Sequence, residues 1–144
     1  MKKMSFIAVL LVCLTANIFA QAPDYIESSF HYKYPQISKE RFEHLKVGYA
    51  ITFKDYGERR KAYFDESGNW LRTETYMDGQ YVPAAIKASI SNSKYNGWDI
   101  EDARLIETPT SKIYTVGLDD KYDITGVGGY HYLYCTSSGN CNDK

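Results

Sequence analysis

Apolar side chains near the start of the chain recur every fourth residue. After Pro23 they fall at Ile26, Phe30 and Tyr34, which is the spacing of one helix face. Pro23 suits the first turn of a helix, whose first amides need no partner within the helix. Pro35 disfavours helical geometry in the residue before it, so it should end the helix. The pattern therefore predicts a helix over residues 23–34 with an apolar face to bury.

The apolar spacing then shortens to two residues, which is typical of half-buried strands. Strands are predicted over 37–47, 49–54, 59–65 and 70–76. In the last of these, strict alternation puts Leu71, Thr73 and Thr75 on one face and Trp70, Arg72, Glu74 and Tyr76 on the other. Tyr63, on the preceding strand, is expected on the same side as Trp70 and Tyr76.

The stretch between the last two of these strands is turn chemistry. Ser67, Gly68 and Asn69 separate two β-rich runs, and glycine and asparagine accept positive φ at low cost. A similar signal returns 70 residues later at 134–140, where Ser138, Gly139 and Asn140 follow another β-rich run. This echo indicates a chain built from two copies of one unit.

The second copy repeats the order of the first. Ile86 and Ile90 follow Pro83 as Ile26 and Phe30 follow Pro23, and Asn96-Gly97 is predicted to end this helix. Strands are predicted over 98–108, 112–118 and 130–135, with a stub from 141 and a glycine-containing loop over 119–129. The fold class is thus α+β, a tandem repeat of helix plus antiparallel sheet. The repeats cover 21–80 and 81–144, and because each is thin alone, they should pair or join their sheets. One sheet face would then stay open to solvent.

Residues 1–20 read as a secretory signal peptide. Lys2 and Lys3 precede a short apolar run, and Ala20 supplies a plausible cleavage position. The predicted location is the periplasm or the outside of the cell, with no membrane span once the signal is removed. The chain of 144 residues has a formal net charge of −1, which argues against nucleic acid as a partner.

Two cysteines remain after the signal, and they flank the second turn. If the strands on either side of that turn pair, Cys135 and Cys141 can meet as a disulfide in an oxidising compartment. The alternative is a pair of free thiols near the end of the chain.

Several stretches of the chain carry a family resemblance. They are the helix ending at Tyr34-Pro35, the segment 64–71, the run 73–75, the helix start at 82–86 and the segments 100–103 and 106–108. Together they resemble the PepSY-like, or β-lactamase-inhibitor-like, proteins exported by Bacteroidetes. The resemblance implies tandem α+β repeats outside the cytoplasm and a non-enzymatic role in binding or inhibiting another protein. The long 119–129 segment and the cysteine pair depart from the pattern, and no inhibitory loop can be carried across.

No set of residues with the pattern of a catalytic centre is visible. The serines at 67, 137 and 138 lie in turns without the glycine pattern of a nucleophile elbow. The three histidines, His31, His44 and His131, fall in separate segments without metal-ligand spacing. Asp119, Asp120 and Asp123 offer oxygen ligands to calcium, but the spacing of an EF-hand is absent. We therefore expect no enzyme activity, no cofactor and no metal.

Aromatic residues on the strands supply the candidate site. The protein-binding candidates are Tyr63, Trp70, Arg72 and Tyr76, because tyrosine, tryptophan and arginine suit protein recognition. A second row, Tyr130, Tyr132 and Tyr134, either joins this surface or packs beneath a helix or between the repeats. The sequence favours a protein-binding module with an unknown partner, such as an inhibitor of a secreted or periplasmic enzyme. The alternative is a small-ligand or metal-ion binding protein of the cell envelope.

Overall fold

The structure, a computed structural model, describes residues 22–122 and 129–143. Its first half contains α1 (Asp24–Lys33), β1 (Glu40–His44), β2 (Tyr49–Asp55), β3 (Glu58–Phe64) and β4 (Trp70–Met77). Its second half contains α2 (Ala84–Ser91), β5 (Asp99–Glu107), β6 (Lys112–Asp119), β7 (Tyr130–Cys135) and β8 (Cys141–Asp143). All neighbouring strands are antiparallel, and they form one eight-stranded sheet in the order of the sequence. The α+β class is confirmed.

The first helix forms where the four-residue spacing predicts it. Asp24 and Glu27 lie in its first turn, where the positive end of the helix dipole favours acidic side chains. Ile26 and Phe30 are fully buried against β2 and β3. The ring of Phe30 contacts the rings of Phe42, Phe53 and Phe64, so this residue is the centre of the first core.

The second helix begins as predicted and ends five residues before the predicted stop at Asn96. It buries Ile86 and Ile90 and finishes at Ser91. Just beyond, the Ser93 hydroxyl donates to the Ile90 carbonyl and accepts from the Tyr95 amide. Such local side-chain bonds compete with the helical hydrogen bonds. Tyr95 still reaches the second core and is only 4% exposed.

The two halves join through one edge each. β4 pairs with β5 from Thr73↔Glu107 to Met77↔Ala103, which makes the sheet continuous. Both helices cover the same face, over two separate apolar cores. Within the described part of the chain, no helix covers the opposite face, which we call the open face. The first predicted strand is shorter than 37–47, because the chain pairs only where β2 lies alongside it.

The two predicted turns are confirmed and have the same hydrogen bonds. In the first, the Asp65 amide donates to the Asn69 carbonyl and the Gly68 amide donates to the Asp65 carbonyl. In the second, Thr136, Asn140 and Gly139 repeat this arrangement. The glycines have φ of 83° and 89°, which side chains rarely adopt. Each turn lies against the helix of its own half, at Ser29 and at Ala85.

A disulfide joins Cys135 to Cys141, which are register partners on β7 and β8. It closes the second turn and covers part of the second core. The predicted signal peptide and most of the loop predicted over 119–129, including Asp123, lie outside the described residues. Among the helices that are described, none is long and apolar enough to cross a membrane.

Candidate functional site

Arginine and tyrosine side chains stack on one another at the middle of the open face. Tyr63 on β3 and Arg72 on β4 are register partners, and the Arg72 guanidinium carbon lies 3.7 Å from the Tyr63 ring centroid. On the same face, Arg59 lies 4.3 Å and Arg104 5.5 Å from the ring centroid of Tyr76. Cation–π contacts of this kind hold long cationic side chains in place at a surface.

A nearly buried carboxylate, that of Glu74, orders this group. Arg72 Nε donates to Glu74 Oε1 at 3.0 Å, and Arg104 Nη1 lies 3.8 Å from Oε2. The Tyr76 hydroxyl also donates to Oε2, at 3.5 Å. Burial, followed by the charge of Glu74, raises the pKa of Tyr63 above its ordinary value. The prediction that Tyr63, Arg72 and Tyr76 share a face is thus confirmed, and Glu74 is the residue that fixes their arrangement.

Trp70 does not lie on this face, so the predicted placement is wrong. The β3–β4 register shifts beside Phe64, which pairs with Trp70, while Tyr63 pairs with Arg72. Leu71 is thereby an extra residue, and such a bulge puts Trp70 on the helix side of the sheet. There the Trp70 indole donates to the Thr73 hydroxyl at 2.9 Å, and Lys33 Nζ sits 3.4 Å from its ring centroid.

The two parts of the open face differ in charge. Alternation along the registered strands places five basic and two acidic residues on the part formed by β1–β4, namely Arg41, Lys54, Arg59, Lys61 and Arg72 against Glu43 and Glu74. We call this part the basic half. The rest of the face carries Asp99, Asp102 and Asp119 together with the tyrosine row, and Arg104 on β5 next to the basic half. A protein that is slightly acidic in total therefore presents a cationic surface on one half of one face.

The second tyrosine row also lies on the open face, and not under a helix. Tyr130 and Tyr132 are 44% and 40% exposed, and both hydroxyls donate to Asp102 Oδ2, at 2.7 and 3.1 Å. The pKa of Tyr130 is raised far above its usual value. Burial is the largest cause, and the hydrogen bonds with Tyr132 and Asp102 are the next. Gly117 leaves the space that this cluster occupies.

Alanine at Gly117 should release Tyr130 from Asp102. A methyl group there would overlap the Tyr130 hydroxyl and lie 3.1 Å from Asp102 Oδ2, so the flexible tyrosine must turn away. Alanine suits a strand better than glycine by about 0.5–1 kcal/mol, which offsets the lost contact between Tyr130 and Asp102. The free energy of unfolding should therefore change little. NMR titration of the tyrosine Cζ carbons should show Tyr130 with an ordinary pKa in the variant. An unchanged Tyr130 titration would contradict the packing described, and Tyr130→Phe identifies the signal.

The histidines and carboxylates fall into separate places. His44 faces Glu66 at 3.5 Å, and His131 packs on Tyr95 and Trp98, so the three histidines form no common site. His31 instead lies between Glu27 and Glu40. Of the aspartates weighed as calcium ligands, Asp120 accepts a hydrogen bond from the Tyr122 amide.

Comparison with known proteins agrees with this architecture. The family model described as "Putative beta-lactamase-inhibitor-like, PepSY-like" matches residues 47–128, which is more than half of the chain. The chain belongs to this PepSY-like family. The matched segment runs from the β1–β2 turn past β6. It includes the stacked side chains of Arg59, Tyr63, Arg72, Tyr76 and Arg104, which we call the Arg–Tyr group, and the β4–β5 pairing that joins the halves. No match is found among curated proteins.

Solved structures of Bacteroides proteins share the PepSY-like fold. A BLIP-like protein from Bacteroides fragilis is 25% identical, with a TM-score of 0.74 over 85% of this chain and 84% of its own. A DUF2874 family protein from Bacteroides uniformis is 20% identical, with a TM-score of 0.73 over 84% and 86%. A protein from Bacteroides eggerthii, called a putative periplasmic protein, is 16% identical, with a TM-score of 0.71 over 85% and 89%. The last two likenesses show the fold alone.

Sequence reasoning missed Glu74, Arg104 and Asp102 as parts of the site. Their cross-strand neighbours depend on register, which the chain alone does not reveal. The closeness of Glu27 and His31 could have been predicted, because residues four apart on a predicted helix share a face. The closeness of Glu40 to them could not, because Glu40 lies on another element, thirteen residues beyond Glu27.

Proposed function

We propose that this protein is an exported, non-enzymatic binding module whose open face docks on an acidic protein surface. The observation that carries the proposal is the basic half, a set of ordered cations and tyrosines that neither of the two described helices covers. Tyr63, Arg72 and Tyr76 are the central contact residues. Trp70 leaves the proposed surface because it lies on the helix side.

The chemistry of the Arg–Tyr group supports this role. Arginine and tyrosine are enriched where proteins bind one another, since both give a large, flat contact area. Glu74 and the tyrosine rings hold Arg72 and Arg104 before any partner arrives. A side chain that is already ordered loses less conformational entropy on binding, and this preorganisation raises affinity.

The charge of the basic half specifies the kind of partner. Opposite charges on the two surfaces speed encounter and reject partners of the same sign. A nucleic acid would be the other acidic partner, but the basic residues are few and Glu74 neutralises part of their charge. A protein with an acidic patch is therefore the occupant that we propose.

An exported location agrees with several features of the chain. Residues 1–20 have the pattern of a signal peptide, and the Cys135–Cys141 disulfide suits an oxidising compartment. The Bacteroides eggerthii neighbour is called a putative periplasmic protein. We place the protein in the periplasm or outside the cell.

The proposed module has two copies of one unit, over residues 21–80 and 81–144. Each has a helix followed by four strands, and the turn before the last strand of each, β3–β4 and β7–β8, has the same hydrogen bonds. Duplication widens the sheet so that its open face can span a protein-sized contact.

Inhibition of an enzyme is the specific form of binding that the family description suggests. The direct assay is hydrolysis of a chromogenic cephalosporin by serine β-lactamases with and without this protein. Saturable inhibition that weakens in Lys54→Glu/Arg59→Glu would support it. Unchanged hydrolysis across a panel would remove this target while leaving the binding surface to the next experiment.

Reversing two exposed charges of the basic half should strongly weaken partner capture. We expect Lys54→Glu/Arg59→Glu to lower the amount of a stoichiometric partner captured from envelope and secreted fractions by about tenfold or more, since like charges facing each other cost several kcal/mol. The double variant leaves the Arg72–Glu74 pair intact. Lys87→Glu, a single charge reversal on α2 and thus on the opposite side, is the control.

The outcome is decided by the difference between these variants. Loss in the double variant with full capture by Lys87→Glu, and with weaker capture as salt rises, supports docking through the basic half. Equal capture by all three proteins would refute it.

A further inference from the structure

Three potential metal ligands meet between the first helix and the edge of the sheet. His31 Nε2 lies 3.0 Å from Glu40 Oε1 and 4.0 Å from Glu27 Oε1. One ligand atom from each residue lies within 4.8 Å of the other two. This cluster is on the helix side of the sheet, away from the open face.

The fold itself brings these residues together. Glu27 and His31 are four residues apart on α1, so their side chains emerge from the same face. Glu40 is the first residue of the edge strand β1, and its register partner is Phe53, a core residue under α1. Glu40 therefore points towards the helix. The ring of Phe30 contacts the His31 imidazole edge-on, with centroids 5.3 Å apart, and restricts its orientation.

One atom of the cluster lacks a partner. The Glu40 side chain is only 11% exposed, and among the described residues its Oε2 is buried without a hydrogen bond. A buried carboxylate oxygen left unpaired costs free energy, and such atoms are uncommon in native proteins. A cation bound by the Glu40 carboxylate would offset the cost of burying its charge.

An ordinary histidine–carboxylate pair occurs elsewhere in the same molecule and looks different. His44 faces a single carboxylate, Glu66, at 3.5 Å, and both side chains are more than half exposed. At His31, one ring nitrogen faces two carboxylates. A proton on that nitrogen can point at only one of them, whereas a metal ion binds all three groups at once.

We propose that Glu27, His31 and Glu40 form a zinc site that ties α1 to the edge strand β1. Zinc accepts mixed imidazole and carboxylate ligands at about 2.0–2.2 Å, and a fourth position would hold water. Calcium and magnesium prefer oxygen ligands alone, so the imidazole selects against them. A change of rotamer brings Glu27 Oε1 about 1 Å closer to His31 Nε2, as zinc coordination requires. The Glu27 side chain is 53% exposed and has room for this change.

Isothermal titration with ZnCl₂ of the chain from residue 21 to 144 tests this site. We expect one zinc per chain, and an affinity at least about a hundredfold lower in His31→Ala. That estimate is a lower bound, because loss of outer-shell partners alone costs 10–100-fold in metal affinity. His44→Ala removes the comparison pair and should bind zinc as the wild type does. Circular dichroism verifies that each variant is folded.

A second reading uses cobalt as a spectroscopic stand-in for zinc. Bound Co²⁺ should show visible absorption that Glu27→Gln weakens; this change lies on an exposed helix position and leaves the cores untouched. Absence of saturable 1:1 zinc binding by the wild type would overturn the proposal. Binding that survives in His31→Ala, or that falls equally in His44→Ala, would overturn it as well.

Discussion

Alanine at Gly48 should lower the free energy of unfolding by about 2–5 kcal/mol. Gly48 has φ of +79°, where a side chain costs about 1–2 kcal/mol. In addition, a Cβ there would overlap the Phe64 carbonyl oxygen and lie 3.1 Å from Asp65 Cα. Both are backbone atoms at the end of β3, so they cannot move aside, and overpacking adds about 1–3 kcal/mol. Urea denaturation measures the loss.

Gly57 is the matched control for this prediction. It has φ of +87° in the β2–β3 turn, but nothing lies within 4 Å of the Cβ that alanine would add. Gly57→Ala should therefore lose only the conformational part, about 1–2 kcal/mol. If the two variants were equally stable, the close approach of the β1–β2 turn to β3 would be wrong.

Truncation of Phe30 to alanine is the second large effect. Phe30 is fully buried, and its ring contacts residues from α1, β1, β2 and β3. Replacing such a phenylalanine by alanine costs about 3–5 kcal/mol through lost burial and the cavity that remains. Tyr32, two residues along the same helix, is 92% exposed, so Tyr32→Ala should change stability by less than about 0.5 kcal/mol.

The same variant tests whether the halves unfold together. Trp70 packs on the first core and Trp98 on the second, so each tryptophan reports on one half. Because β4 and β5 are paired along five residues, Phe30→Ala should shift both fluorescence transitions to lower urea. A Trp98 transition that stayed at the wild-type midpoint would show that the two halves are independent.

The sequence predicted most of the helices and their buried faces, because that information is local. Ile26, Phe30, Ile86 and Ile90 stand at helical spacing, and all four are buried. The two turns were equally readable, since glycine at positive φ is a local requirement. The end of α2 was not, because hydrogen bonds of Ser93 decide it.

Trp70 shows where period-two reasoning fails. One extra residue in a strand moves every side chain before it to the other face. The bulge at Leu71 arises from the pairing of β4 with β3, and nothing in the alternation of residues 70–76 announces it. The face of Trp70 was therefore predicted wrongly, although Arg72 and Tyr76 were placed correctly.

The Arg–Tyr group and the proposed zinc site depend on contacts between separate strands and helices. Tyr63 and Arg72 were chosen by residue type, but the role of Glu74 follows from its pairing with β3 and β5. Glu40 meets His31 only because β1 passes beneath α1. Local patterns in one sequence do not reveal which strands pair or which strand lies under a helix, so these contacts were not predicted.

The central claim is that the open face is the surface that contacts a partner, and site-specific photocrosslinking tests it most directly. Benzoylphenylalanine would replace Thr52, partly exposed between Arg41 and Lys61 on the basic half, or Tyr32, 92% exposed on α1. Neither replacement removes a charged side chain. In cells that make the protein, we predict one discrete crosslinked partner from position 52 and none from position 32. A crosslink from position 32 alone would contradict the account and place the binding surface on the helices.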